Sequence, residues 1–276
     1  MSRITDAGYY LPHIFASSPL DEASSGTTAP VRIRGIDERT GDESAEYFVK
    51  PKAAPRMSAK ASMFELLAAF IAKQLNLNVA EPVLVNISED FANLCRGKPY
   101  YNKIAASPGI NFGTINFGGG FYTWLPEASL SLHLEEEALK IFVFDMLIQN
   151  ADRGHQKANV NTNGKALKIF DHELAFSYTD LIGGSGKNEW ELDENGSEKD
   201  LIFKHLFYRY LKGNNNLPID SIVGSMKVLN AKFWKKAEEL IPHEWMDQSF
   251  QKIRQHTQAI MNNLNNFKIE IRRVLS

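Results

Sequence analysis

Cysteine is almost absent from this chain of 276 residues, where Cys95 stands alone. A lone cysteine excludes an internal disulfide and a Cys-based zinc site, and it fits a reducing compartment. No apolar run reaches the roughly 18 residues that span a bilayer, and the start "MSRITDAGYYLPHIFASSPL" lacks a charged segment followed by an apolar one. A soluble, cytoplasmic protein is therefore expected, with the sequons at Asn86-Ile-Ser and Asn195-Gly-Ser read as accidents of composition. Net charge is also missing. Basic residues number 31 against 33 acidic ones, for a balance of -2, so no overall field favours nucleic acid or membrane surfaces. Walker A, GxGxxG and HExxH signatures are absent as well, and so is any internal repeat. What is present is a composition 43% hydrophobic and 11% aromatic, enough for one large domain or two closely packed lobes.

After an irregular start, "APVRIRG" (29–35) and "AEYFVK" (45–50) read as short strands joined by a Gly-containing polar segment. "SAKASMFELLAAFIAKQLN" reads as a helix capped by Ser58, with Met63, Leu66, Leu67, Phe70, Ile71 and Leu75 on one apolar face. A third strand follows in "AEPVLVNIS", where Val83, Val85 and Ile87 alternate. Residues 89–130 show no helical period and read as a loop-dominated connection. "SLHLEEEALKIFVFDMLIQN" is a helix with glutamates in its early turns, where the macrodipole favours them. A strand pair turning at Asn163-Gly164 comes next, then a polar loop over 179–199, then helices that include "DLIFKHLFYRYLKG" and "DQSFQKIRQHTQAIMNNLNNFKIEIRRVL". The pattern is α+β: a small strand-rich unit carrying one helix (1–90), then a larger, mainly helical unit with a β-ribbon inside it (91–276).

Between the long helix and the ribbon lies "NADRGHQKANV" (150–160), dense in polar chemistry. A catalyst that moves the γ-phosphate of ATP needs a carboxylate near the acceptor hydroxyl, oxygen ligands for Mg2+, a lysine on the phosphates and backbone amides around them. Asp152 follows the helix, Asn159 opens the next strand and Asp171 ends the one after, in the order a kinase catalytic segment uses. The kinase signature sets its metal-binding Asn five residues after the Asp, whereas Asn159 follows Asp152 by seven. Taken alone, the stretch reads equally as a solvated, turn-rich helix exit. Upstream, Lys50 ends the strand "YFVK" and Glu65 lies fifteen residues on, between Phe64 and Leu66, where an unpaired carboxylate is costly and a partner is expected. "SSGTTAP" (24–30) offers small residues whose amides suit phosphate, or is a flexible linker. His155 and His172 have no metal-site spacing; His172 is expected to orient the loop, and His155 to meet substrate or solvent. The four tryptophans read as packing residues.

These residues resemble the HipA-like kinases, specifically the compact group with only the kinase portion. Its "VVK" lysine strand, acidic helix start and "LGLPVPEP" link correspond to "YFVK", "FELLAAFIAKQL" and "NLNVAEPVLV". Its "NxDRTxxNPNLL" and "IDHG" correspond to "NADRGHQKANVN" and "FDHE", and "IPHEW" (241–245) resembles a late element. Three positions depart: Gly154 for a threonine, Lys157 for the first asparagine of NPN, and Glu173 for a small residue. The resemblance implies a bilobal, protein-kinase-like fold and an ATP- and Mg2+-dependent kinase, acting on Ser/Thr of a protein. Asp152 would orient the acceptor, Asn159 and Asp171 would hold Mg2+, Lys50 would bind phosphates and Glu65 would fix it. Ser25, Gly26, Thr27 and Thr28 would form the phosphate loop, and Val85 to Ser88, with Val85 and Ile87, the adenine hinge. Some members are toxins silenced by a partner or by autophosphorylation, so an antitoxin-like partner is implied. A small-molecule or lipid kinase is the alternative, as is a nucleotide-binding pseudokinase suggested by Lys157 and Glu173.

Overall fold

Alternation organises the first part of the chain. In Val31–Asp37, every second residue is buried, the period of a strand with one covered face. The computed structural model describes residues 2–23, 28–125, 127–154, 157–180 and 186–276, and it sets this strand in a closed five-stranded barrel. The strands are His13–Glu22 (β1), Val31–Asp37 (β2), Glu46–Lys50 (β3), Pro82–Ile87 (β4) and Gly109–Ile115 (β5), in the order β1-β2-β3-β5-β4. The β1–β4 pair is parallel and the others are antiparallel. Ile14, Val31, Ile33, Tyr47, Val49, Val83, Val85 and Ile87 fill one cluster with Phe91, Cys95, Tyr100 and Ile104. Packing is tight enough that a Cβ on Gly113 would lie 2.9 Å from both Phe48 O and Val85 Cγ2, so the close strand approach requires glycine there.

Three expectations change here. The start is irregular only as far as residue 12: β1 then runs for ten residues, and its register shifts between Ala16 and Ser18 and between Pro19 and Glu22, which erases the sequence period. Residues 89–130 are not mainly loop, since they hold the helices Glu89–Leu94 and Tyr101–Ala105 as well as β5, each too short for periodicity to register. Because β5 closes the barrel, the strand-rich unit continues past residue 90 to Ile115, and it carries more than one helix.

We number the helices α1 (Ala59–Gln74), α2 (Glu89–Leu94), α3 (Tyr101–Ala105), α4 (Glu135–Ile148), α5 (Lys199–Phe203), α6 (Tyr208–Leu211), α7 (Ile219–Ser225), α8 (Ala231–Leu240), α9 (Gln248–Asn262) and α10 (Leu264–Leu275). A ribbon of Tyr122–Thr123 (β6), Val160–Thr162 (β7) and Leu167–Ile169 (β8) turns at Gly164, whose φ is +79°. The predicted helix "DLIFKHLFYRYLKG" is split into α5 and α6, and the C-terminal helix is split at Asn263. Among the described residues, no helix is long and apolar enough to cross a membrane.

The N-cap of α1 is as expected: Ser58 accepts from Ala61 N at 3.1 Å. Its burial is wider than a single apolar face, covering every residue from Ala61 to Gln74. The cause is position, since α1 packs against β5 on the barrel and against α8 and the turn at His243–Trp245. Buried Lys73 is matched by Glu81, with both carboxylate oxygens at 2.6 Å. Elsewhere in the helical portion, the His256 ring stacks on Tyr178 at 3.8 Å between centroids, and burial holds its pKa down at about 4. A proton taken up at lower pH then binds the unfolded chain in preference, so stability present above about pH 6.5 is lost as pH falls towards 4, by about 3 kcal/mol for this group. Thermal unfolding between pH 7 and 4 is expected to show that loss, and His256→Phe, which keeps a stacked ring, to weaken it.

Candidate active site

The site begins where α4 stops. Gln149 closes the helix in the left-handed conformation (φ +49°), and the chain turns through Asn150 to Arg153. Arg153 points inward. Its guanidinium is 1% exposed, with Nε on Asp145 Oδ2 at 2.6 Å and Nη1 on the carbonyls of Asn159 and Phe170 at 2.6 and 3.5 Å. Asp145 sits in the apolar run of α4 and also receives Asn150 Nδ2 at 3.0 Å and His205 Nε2 at 3.0 Å. Burial opposes its ionisation, but Arg153 and His205 outweigh it and the Asp145 carboxyl lies below its ordinary range. The break between α5 and α6 has its reason here: Leu206 N donates to Arg153 O at 2.9 Å, and Gly154 bridges to His205. A Cβ at Gly154 would stand 3.3 Å from Lys204 O, so the close approach favours glycine where the HipA-like pattern has threonine.

A second buried cluster centres on Lys50, at the end of β3. Its ammonium reaches Glu65 of α1, Asp171 after β8, and Glu173 at 3.3 Å. Burial would lower the Lys50 pKa, yet the three carboxylates raise it. Burial lifts the Glu65 carboxyl to about 7 against the pull of Lys50, while Asp171, also buried, is driven below its ordinary range by Lys50 and Lys157. The second Glu65 oxygen accepts from His172 N at 2.9 Å, so this acid anchors both the lysine and the 171–173 segment. Orientation of the segment by His172 is through its backbone; its ring packs edge-on to Phe144, and burial keeps its pKa down at about 3.

Asp152 joins this cluster through Lys157, whose Nζ lies 2.6 Å from Asp152 Oδ2 and 3.0 Å from Asp171 Oδ2. Asn159 Nδ2 donates to Asp152 O and Oδ2 at 3.2 and 3.1 Å, which leaves its own Oδ1 available as a ligand. Among the described residues, Asp152 Oδ1 accepts no hydrogen bond, so it is available to a hydroxyl donor. Both Asn159 (φ +47°) and Asp171 (φ +62°) adopt the left-handed conformation, uncommon outside glycine and least costly for Asn and Asp.

Lys50, Glu65, Asp152, Asn159 and Asp171 are thus brought together. Val85 and Ile87 are not: Lys50 pairs across the sheet with Phe112, which pairs with Leu84, so Val85 and Ile87 project from the other face into the barrel interior. The chain leaves the barrel instead through 116–121, where Lys168 Nζ lies 4.5 and 4.6 Å from the Phe117 and Phe121 ring centres. Ser25, Gly26, Thr27 and His155 lie outside the described residues. Thr28 is buried, and the segment it ends connects β1 to β2.

The sequence model of the HipA-like kinase family matches residues 21–183, more than half of the chain. The chain belongs to the HipA-like kinase family. In structure it is similar to the proinflammatory kinase CtkA of Helicobacter pylori, with a TM-score of 0.52 and 13% identity, over 91% of this chain and 94% of that one. At that identity the likeness carries the kinase-like fold alone. No curated protein matches in sequence.

Arg153 and Asp145 escaped the sequence reading of this HipA-like chain, although a signal was there. Asp145 interrupts "KIFVFDMLI", and a charge in so apolar a helix needs a buried partner. Removing one member of such a pair leaves the other unmatched, so Arg153→Met is expected to cost about 3–5 kcal/mol in urea unfolding. Adding Asp145→Leu should recover part of that loss, and no recovery would show that the pair is not what holds the loop.

Proposed function

We propose that this chain is an ATP- and Mg2+-dependent kinase whose acceptor is a Ser or Thr hydroxyl of a protein. One observation carries the reading: a strand lysine, a helix glutamate and the Asp after the ribbon share one buried cluster, with Asp152 and Asn159 held beside it. Lys50 has three protons to donate. Phosphate oxygens can replace Asp171 and Glu173 around it while Glu65, fixed on α1 and bonded to His172 N, keeps it in place. The barrel and the helical portion are then read as the two lobes of a kinase.

The donors suit Mg2+. Oxygen atoms of Glu65, Asp171 and Glu173 lie within 4.8 Å of one another, and Glu173 Oε1 is buried without a hydrogen-bond partner. Hard carboxylate and amide oxygens are what Mg2+ takes, and when bound it neutralises phosphate charge. Asp171 and Asn159 are read as its protein ligands. Asp152 orients the acceptor hydroxyl through its free Oδ1 and receives its proton. For the purine, the support lies on the other side of the barrel strands from Val85. Phe48 shares a strand face with Lys50, and Asn161, whose Oδ1 is buried without a donor, pairs across the ribbon with Lys168 below the 116–121 segment.

The choice of a protein acceptor, and of a regulatory antitoxin-like partner, rests on the family resemblance. A second reading, a nucleotide-binding module without transfer, is favoured by Lys157 standing between Asp152 and Asp171. Incubation with γ-labelled ATP and Mg2+, alone and with cell extract, separates the two. Transfer by the wild type is expected to fall about 10²–10⁴-fold in Asp152→Ala and Asp171→Ala. Equal label in all three proteins would sink the kinase reading, and a thermal shift with ATP but no transfer would select the binding module.

A further inference from the structure

Resting on that kinase reading, we propose that Lys157 is a resident cation of the transfer step, taking the place of one divalent ion so that the chain works with a single Mg2+. Protein kinases commonly use two, one of them held by the Asn five residues after the catalytic Asp. Here the residue at that spacing is Lys157, and Asn159 stands two residues further on. Its ammonium lies between Asp152 Oδ2 and Asp171 Oδ2, at 2.6 and 3.0 Å, where it occupies one oxygen of each. Two cations cannot share those oxygens at contact distance without strong repulsion.

The opposite side of Asp171 is built differently. There Lys50 faces Asp171 Oδ1, oxygen atoms of Glu65, Asp171 and Glu173 lie within 4.8 Å of one another, and Glu173 Oε1 is buried with no hydrogen-bond partner among the described residues. Four carboxylates (Glu65, Asp152, Asp171, Glu173) face two ammonium groups (Lys50, Lys157). With all of them ionised the balance is −4 + 2 = −2, which one divalent cation neutralises. In the transfer, the acceptor oxygen bonds to the γ-phosphorus as the bond from that phosphorus to the β,γ-bridging oxygen breaks. The electron pair leaves with ADP and the hydroxyl proton passes to Asp152. Lys157 gives up no proton and meets the charge on the γ-phosphoryl oxygens.

Mn2+ titration followed by electron paramagnetic resonance, with a saturating non-hydrolysable ATP analogue, counts the ions directly. One Mn2+ per chain is expected for the wild type and two for Lys157→Asn. In turnover, Lys157→Ala is expected to lose about 10²–10³-fold in kcat with a much smaller change in KM for ATP. Lys157→Asn should regain rate as free Mg2+ rises, and wild type should not. Two ions bound to wild type, or an unchanged kcat in Lys157→Ala, would overturn the assignment. The wild-type count holds whether or not a variant folds. If wild type transfers phosphate and binds two ions, only the role of Lys157 falls; if it neither binds the analogue nor transfers, the kinase reading falls with it.

Discussion

Everything at this site depends on where one ammonium group is buried. Lys50 is reached by carboxylates from α1 and from the 171–173 segment, although β3 belongs to the barrel. Taking charges out of water costs several kcal/mol per ion, and only close, well-bonded partners offset it. The barrel must therefore end β3 at the right residue, α1 must bring Glu65 inward, and the last strand of the ribbon must deliver Asp171. The extra burial of α1 follows from the same demand. A helix packed on both sides cannot rotate Glu65 away, so its second oxygen is fixed well enough to receive the His172 amide at 2.9 Å.

Arg153 does for the loop after α4 what Lys50 does for the cluster. The carbonyls it binds belong to Asn159 and to Phe170, the residue before Asp171. At Asn159 and at Asp171 the backbone takes left-handed values, φ +47° and +62°. Such conformations cost on the order of 1–3 kcal/mol each and persist where surrounding contacts over-determine them. The guanidinium supplies those contacts and is itself held by Asp145, so a charge inside α4 fixes the geometry of two loops. Backbone strain at both candidate metal ligands is then a consequence of bonding from within the core.

Legibility in the sequence followed the length and regularity of each element. The helices α1 and α4 and the Asn163-Gly164 turn were visible because periodicity or turn chemistry repeats within a short window. The strand β1 was not, because bulges break its period, and α2, α3 and β5 were too short to leave one. Among site residues, Lys50 with Glu65 and Asp152 with Asp171 were legible because a charge beside an apolar run demands a reason. The direction of Val85 and Ile87 was not legible, for the converse reason. Val85 and Ile87 alternate as any strand does, and only the register with β5 reveals that their face looks into the barrel. The bridging position of Lys157 depends on how a loop closes, which no spacing rule specifies.

The two departures from the family pattern nearest the reacting groups act as a pair. Lys157 and Glu173 each stand where the pattern has a neutral residue, so one adds a positive charge and the other a negative one, with no change in the total. What changes is its distribution around Asp171. Lys157 satisfies Asp171 Oδ2 on the side of Asp152, and Glu173 concentrates carboxylate oxygen on the side of Lys50 and Glu65. Coulomb energy between unit charges scales inversely with distance, so at contact range such a rearrangement outweighs any effect of net charge. The exchange of two neutral residues for two opposite charges therefore leaves the total alone and changes which oxygen of Asp171 each ammonium group matches, Oδ1 for Lys50 and Oδ2 for Lys157.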